Sequence, residues 1–234
     1  MKTCIIIQAR ITSTRFANKV FTKINDKYVI DYIIEECLKV KNVEVVLIVP
    51  SRQGEFFEDA RKKFNINLIE GDEHDVLSRY YNAAIILQCD TIIRVSSDCV
   101  LMSADVIEKT LDYYKNNNFD YIINTTLDTS YKDKKNTNIH YTTDTYMSDG
   151  FDVEIFSIDA LRIAHRNAKS LSEREHVTVW MKENLNCGVY HGAFLYVTGK
   201  FSLDYKEDLE VINAFLLLRD KGYIKLGDFD ERHQ

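Results

Sequence analysis

The sequence predicts an α/β fold built on a mostly parallel, mixed sheet, and two observations carry that reading. Short apolar runs rich in β-branched residues recur along the chain, and between them lie stretches whose apolar residues repeat at helical spacing. Residues 4–7 form the first such run, and residues 43–49 a longer one that ends at Pro50, the single proline. Between them Ile30, Ile33, Ile34, Cys37 and Leu38 mark a helix, so the segment is a β-α-β unit with a right-handed crossover. The alternation continues with a helix over 55–64, a strand over 66–69, a helix over 76–87 and a strand over 91–95. A helix over 105–114 takes Ser103 as its N-cap and ends at the asparagine run 116–118, after which 120–124 resumes the sheet. Residues 125–150 turn to Thr, Asp, Lys, Asn and Tyr with little periodicity, an excursion that reads either as a flap or as a hairpin. A strand over 151–156, helices over 158–166 and 174–184, a strand over 189–197 and an amphipathic helix over 206–220 complete a single domain spanning 1–234.

Composition narrows the function classes. A formal net charge of −6, with no basic run longer than 132–135, argues against a nucleic-acid partner. The five cysteines are scattered and never paired as CxxC, which argues against a disulfide framework or a zinc site and makes them reduced, mostly buried thiols. The first apolar run is too short for a signal peptide, and nothing approaches the roughly 18 apolar residues of a membrane span. A cytoplasmic location is the expectation.

Three segments carry groups able to do chemistry. Directly after the first strand come Gln8, Ala9, Arg10, Ser13, Arg15 and Lys19, where small and hydroxylated residues let backbone N–H groups approach an anion and three cations can clamp a polyphosphate. Strand ends in an open α/β sheet are where ligands bind. The strand 92–95 runs into Asp98, and an apparent strand at 201–203 runs into Asp204. Carboxylates at such ends can hold Mg²⁺, a hard ion that takes oxygen ligands; equally, Asp204 can cap the last helix.

Together these segments resemble the cytidylyltransferase superfamily that includes the CMP-sialic acid and CMP-Kdo synthetases, most closely its spore-coat polysaccharide (SpsF-like) branch. Six motifs occur in the family's order, at 6–20, 71–80, 94–101, 150–154, 174–178 and 203–209. The resemblance implies a Rossmann-like, three-layer nucleotidyltransferase fold (GT-A-like) and transfer of CMP from CTP to a small sugar-like acceptor in surface-glycan assembly. It implies that Arg10, Arg15 and Lys19 hold the triphosphate with help from Ser13, that Asp98 and Asp204 carry Mg²⁺, and that Arg10, Lys19 and Asp98 are the catalytic set. Gly71, Asp72, Glu73, Asp75, Ser78 and Arg79 would then lie near base and ribose, and Asp152, Glu154, Arg174, Glu175 and His176 on the acceptor side. A homodimer is implied as well.

The chain departs from the family where Arg-Leu-Pro-Gly-Lys is replaced by Arg15-Phe16-Ala17-Asn18-Lys19, which removes two backbone-shaping residues while keeping both cations. His176 reads either as a structural residue or as an acceptor contact. Two further functional readings stay open. A metal-dependent glycosyltransferase also uses a strand-end aspartate, although Ser96-Ser97-Asp98 lacks the Asp-x-Asp pair, and a catalytically silent nucleotide-binding subunit would keep the fold without turnover.

Overall fold

The computed structural model describes residues 1–125, 139–140, 149–190 and 200–223. In chain order the elements are β1 (Thr3–Gln8), a short 3-10 turn (Lys19–Phe21), β2 (Lys23–Ile24), β3 (Lys27–Tyr28), α1 (Val29–Lys39), β4 (Glu44–Pro50), α2 (Gly54–Phe64), β5 (Asn67–Gly71), α3 (Val76–Leu87) and β6 (Thr91–Ser96). Then follow α4 (Ala104–Asn116), β7 (Tyr121–Ile123), β8 (Ile139–His140), β9 (Glu154–Ser157), α5 (Ile158–Asn167), α6 (Leu171–Glu175), α7 (Val179–Asn184), β10 (Cys187–Val189) and α8 (Asp208–Asp220).

Eight strands form one sheet in the order β5-β4-β1-β6-β9-β7-β10-β8, and every pairing is parallel except those that β9 makes with β6 and β7. The sheet is buried on both faces, which is why its central strands are continuous apolar runs rather than alternating ones. Ile5 and Ile7 of β1 pack with α1, α2, α4 and α8, whereas Cys4 and Ile6 of the same strand pack with α3, α5 and α7. The result is helix, sheet and helix in three layers.

Local signals hold where they were read. Ser103 accepts the Val106 N–H at the start of α4, and Asp75 does the same for Ser78 at the start of α3. The small β2-β3 hairpin went unread; its two central residues, Asn25 and Asp26, both take positive φ, as a tight two-residue hairpin turn demands.

The helix expected over 174–184 is two helices, because Val177 takes φ 59° and breaks it. The strand expected from residue 151 begins at Glu154. The strand expected over 189–197 is present as Cys187–Val189, its remainder lying outside the described residues. Of the 125–150 excursion, Ile139–His140 adds an edge strand beside β10, and residues 126–138 and 141–148 are outside the described set.

The cysteine reading needs correction. Cys4 and Cys89 form a disulfide across a sequence separation of 85, while Cys37, Cys99 and Cys187 are free and buried. Parallel pairing of β1 with β6 sets Thr3 against Thr91, which brings the two cysteines to a Cα separation of 6.0 Å, a proximity that no linear spacing announces. No described helix is long and apolar enough to cross a membrane.

Candidate active site

From β1 the chain moves to β4 and β5 on one side, then returns to place β6 on the other. A doubly wound sheet opens a crevice at such a reversal, beyond the carboxyl ends of the two strands. Here a cleft of about 170 Å³ stands at that point, with Gln8 at the end of β1 and Asp98 just past β6.

The loop after β1 is held through its backbone N–H groups, two of them bonded to residues outside the loop. Ala9 N–H donates to the Ile48 carbonyl, Ile11 N–H to Gln53 Oε1 (2.9 Å), and Asn18 N–H closes the loop on the Ile11 carbonyl (3.1 Å). Asn18 adopts φ 55° at the position where the family pattern has glycine. Asparagine tolerates this left-handed region better than other side-chain-bearing residues, so the chain keeps the bend without the glycine. Arg10, Ser13, Arg15 and Lys19 all line the cleft.

Lys19 reaches across to the far wall. Its ammonium is 3.1 Å from Asp98 Oδ2 and 3.5 Å from Asp204 Oδ1, and it donates to the Leu203 carbonyl at 2.6 Å. A backbone bond from Leu203 N–H to the Asp98 carbonyl (2.9 Å) ties the two acidic segments together. Burial alone would raise the Asp98 carboxyl, but the Lys19 charge and a hydrogen bond from Ser96 outweigh it and hold the group below the usual carboxylate range. Asp204 also accepts from Arg15 at 3.0 Å. The strand expected over 201–203 is absent, since the chain there makes only an isolated bridge at Lys200, and Asp204 does not cap α8; instead Asp208 folds back and accepts the N–H groups of Asp204 and Tyr205, both at 2.8 Å.

Opposite this cluster stand Arg10 and Arg79. Arg79 is 3% exposed, donates only a 3.3 Å bond to the Glu73 carbonyl, and leaves its Nε without a partner. Burial lowers its pKa and the neighbouring Arg10 charge lowers it further. Among the described residues no carboxylate forms an ion pair with either guanidinium, and the Asp72 and Glu73 charges act on Arg79 only from a greater distance. Gly71 makes room for it: a Cβ there would lie 2.9 Å from Arg79 Cγ.

Glu175 and His176 also line the cleft, delivered by the break between α6 and α7. Thr178 N–H donates to the His176 carbonyl at 2.6 Å across Val177, a γ-turn of the strained hand in a β-branched residue. Thr178 is pinned in turn by Glu154, which accepts from Thr178 Oγ1 (2.8 Å) and Tyr121 OH (2.6 Å), pairs with Lys182 (3.0 Å), and contacts Arg94. Burial works to raise the Glu154 carboxyl, yet Arg94 and Lys182 hold it well below its ordinary value.

Several residues expected at the site therefore do other work. Glu154 is a buried hub rather than an acceptor contact, because β9 sits between β6 and β7 and turns the side chain toward Arg94. Arg174 and Ser78, expected on the acceptor and nucleotide sides, meet each other instead. Arg174 donates to Ser78 Oγ (2.6 Å), Asp75 Oδ1 (3.0 Å) and the His165 carbonyl (2.8 Å), fastening α3 to α5 and α6. Asp72 accepts the N–H groups of His74 and Asp75 in a turn, and Glu73 accepts from Thr12 at 2.8 Å; neither Gly71 nor Asp72 lines the cleft. Asp152 is half-buried and does not line the cleft; it accepts from Thr125 Oγ1 and Gly150 N–H (both 2.8 Å), and desolvation raises its carboxyl. Gly150 is required there, with φ 103° and a would-be Cβ 2.3 Å from the Phe201 backbone.

Arg94, which lines the cleft floor, had been given no role. A charge in the middle of an apolar strand was the available signal, since a buried charge demands a partner.

A doubly wound sheet whose switch-point cleft is lined by Arg10 and Arg79, neither in an ion pair, and by the carboxylates of Asp98 and Asp204 is that of a nucleotidyltransferase enzyme. Residues 4–220 match the family described as Cytidylyltransferase, and the chain belongs to that family. It is 32% identical to an uncharacterised protein of Methanocaldococcus jannaschii over 188 residues, 80% of this chain and 69% of that one. The fold is shared with a cytidylyltransferase from Leptospira borgpetersenii serovar Hardjo-bovis (TM-score 0.78, 21% identity, 99% of this chain and 100% of that one). It is shared also with a CMP:2-keto-3-deoxy-manno-octonic acid synthetase solved with CTP (TM-score 0.69, 16% identity, 94% and 100%).

Proposed function

We propose that the chain transfers CMP from CTP to a sugar acid or sugar-like acceptor, with release of pyrophosphate, in the assembly of a surface glycan. The observation that carries this reading is the make-up of the cleft: Arg10 and Arg79, in no ion pair, line the same crevice as Lys19, Asp98 and Asp204. The unpaired arginines are suited to a polyphosphate, which would offset their charge.

Asp98 and Asp204 have the chemistry for a divalent ion, since both are carboxylates that already share one cation, the Lys19 ammonium. Mg²⁺ held there would supply charge neutralisation on phosphate oxygens. The chain's own groups do the rest. Arg10, Arg15 and Lys19 orient the triphosphate and stabilise the charge that grows on the leaving pyrophosphate as an acceptor oxygen attacks the α-phosphorus in line. Glu175 and His176 face the same space and bind the acceptor.

A thermal-shift panel of the four nucleoside triphosphates with Mg²⁺ tests the nucleotide half. CTP at a hundred times its dissociation constant should add about 2.7 kcal/mol of apparent stability. Pyrophosphate release across a panel of sugar acids and sugar phosphates tests the transfer. Equal shifts from all four nucleotides would remove the base preference, and silence across the panel would remove the transfer.

A further inference from the structure

Asp204 is enclosed by positive charge on both oxygens. Oδ1 faces Arg15 at 3.0 Å and Lys19 at 3.5 Å, and Oδ2 faces Lys200 at 3.1 Å. The three cations differ in what else holds them. Arg15 and Lys19 line the cleft, where a polyphosphate can draw them off. Lys200 does not line it: its ammonium is also 3.2 Å from Asp208 Oδ2, donates to the Ser202 carbonyl at 3.4 Å, and lies 5.4 Å from the Tyr205 ring centre. Arg15, Lys19 and Lys200 thus balance Asp98, Asp204 and Asp208, three charges against three.

We infer that Lys200 is a positioning residue that holds Asp204 and weakens the hold of Asp98 and Asp204 on a divalent cation in the nucleotide-free protein. A doubly charged ion approaching the nucleotide-free protein meets three positive charges already seated on Asp204, and like charges at these distances repel strongly where solvent is partly excluded. A triphosphate removes two of them by taking Arg15 and Lys19 for itself. Lys200 stays, anchored by Asp208, and keeps Oδ1 of Asp204 turned toward Asp98. The nucleotide-free protein therefore binds the ion more weakly than it would without the Lys200 charge. The inference rests on the phosphate-binding reading of the cleft given above.

The test is a Mn²⁺ titration of the nucleotide-free protein, followed by electron paramagnetic resonance, on wild type, Lys200→Met and Lys200→Arg. Removing the charge should tighten Mn²⁺ binding by about tenfold, with the arginine variant close to wild type. Adding Asp204→Asn to Lys200→Met should cancel the gain, which locates it at this carboxylate. Lys200→Gln, checked by circular dichroism, replaces the methionine variant if that one is misfolded. Unchanged or weaker Mn²⁺ binding in both neutral variants overturns the proposal. The nucleotide reading fails separately, through absence of a CTP-dependent thermal shift in wild type, and that result is independent of the Lys200 comparison.

Discussion

Two ion clusters flank β6, and they are built for opposite purposes. Behind the strand, Arg94, Glu154 and Lys182 are joined with Tyr121 and Thr178; the Glu154 side chain is 3% exposed and every partner is supplied by the protein. Past the strand's end, Lys19, Asp98 and Asp204 share an open cleft with Arg15, whose side chain is 53% exposed and whose pairings can be exchanged for a ligand's. A buried ion group cannot trade partners without leaving a charge stranded in a poor dielectric, so it fixes geometry. Arg15, the exposed member of the second cluster, can trade partners at little cost, so it can meet a ligand. The buried cluster reaches the cleft directly through Arg94, which lines it, and indirectly by pinning Thr178 and thereby the strained turn that presents His176.

The contrast can be broken first at Glu154. Glu154→Ala leaves Arg94 and Lys182 without their counter-charge and should cost about 3–5 kcal/mol in denaturant unfolding; a loss below about 1 kcal/mol would mean the cluster is not the anchor described. Next in size is Asp98→Asn, which should lower pyrophosphate release by about two to three orders of magnitude while leaving the unfolding midpoint almost unmoved. Equal damage to fold and turnover would erase the distinction between the clusters.

Acid separates them more gently. Because the folded chain holds the Glu154 carboxyl below its ordinary 4.5, its contribution is fully present above that value and is lost as pH falls from there toward the folded pKa. Unfolding midpoints followed through this acid range should fall less steeply for Glu154→Gln than for wild type. Smallest is Thr178→Val, which deletes one hydrogen bond to Glu154 and should cost about 1 kcal/mol. It should raise the acceptor KM more than that of CTP, with Thr178→Ser restoring both; a uniform loss in kcat would assign Thr178 to scaffolding alone.

Much of this was legible in the residues. The helix expected over 76–87 is α3 with the same bounds, and the cap at Ser103 is where it was read. Arg10, Arg15, Lys19, Asp98 and Asp204 were each singled out from strand-end position and charge, and all five line one cleft. The acceptor side read less well, because one motif can serve two ends. In residues 174–178, Glu175 and His176 reach the cleft, Arg174 fastens three helices, and Val177 and Thr178 make the turn between them.

What the sequence determined by itself was whatever depends on near neighbours: strand and helix periodicity, caps, the run of small and basic residues after β1. The tertiary structure alone decided the pairings across distance: Cys4 with Cys89, Glu154 with Arg94, Ser78 with Arg174, Lys200 with Asp204. Periodicity sets which face a side chain occupies within its own element, but its partner is chosen by strand order, and the insertion of antiparallel β9 between β6 and β7 is not written in any local pattern.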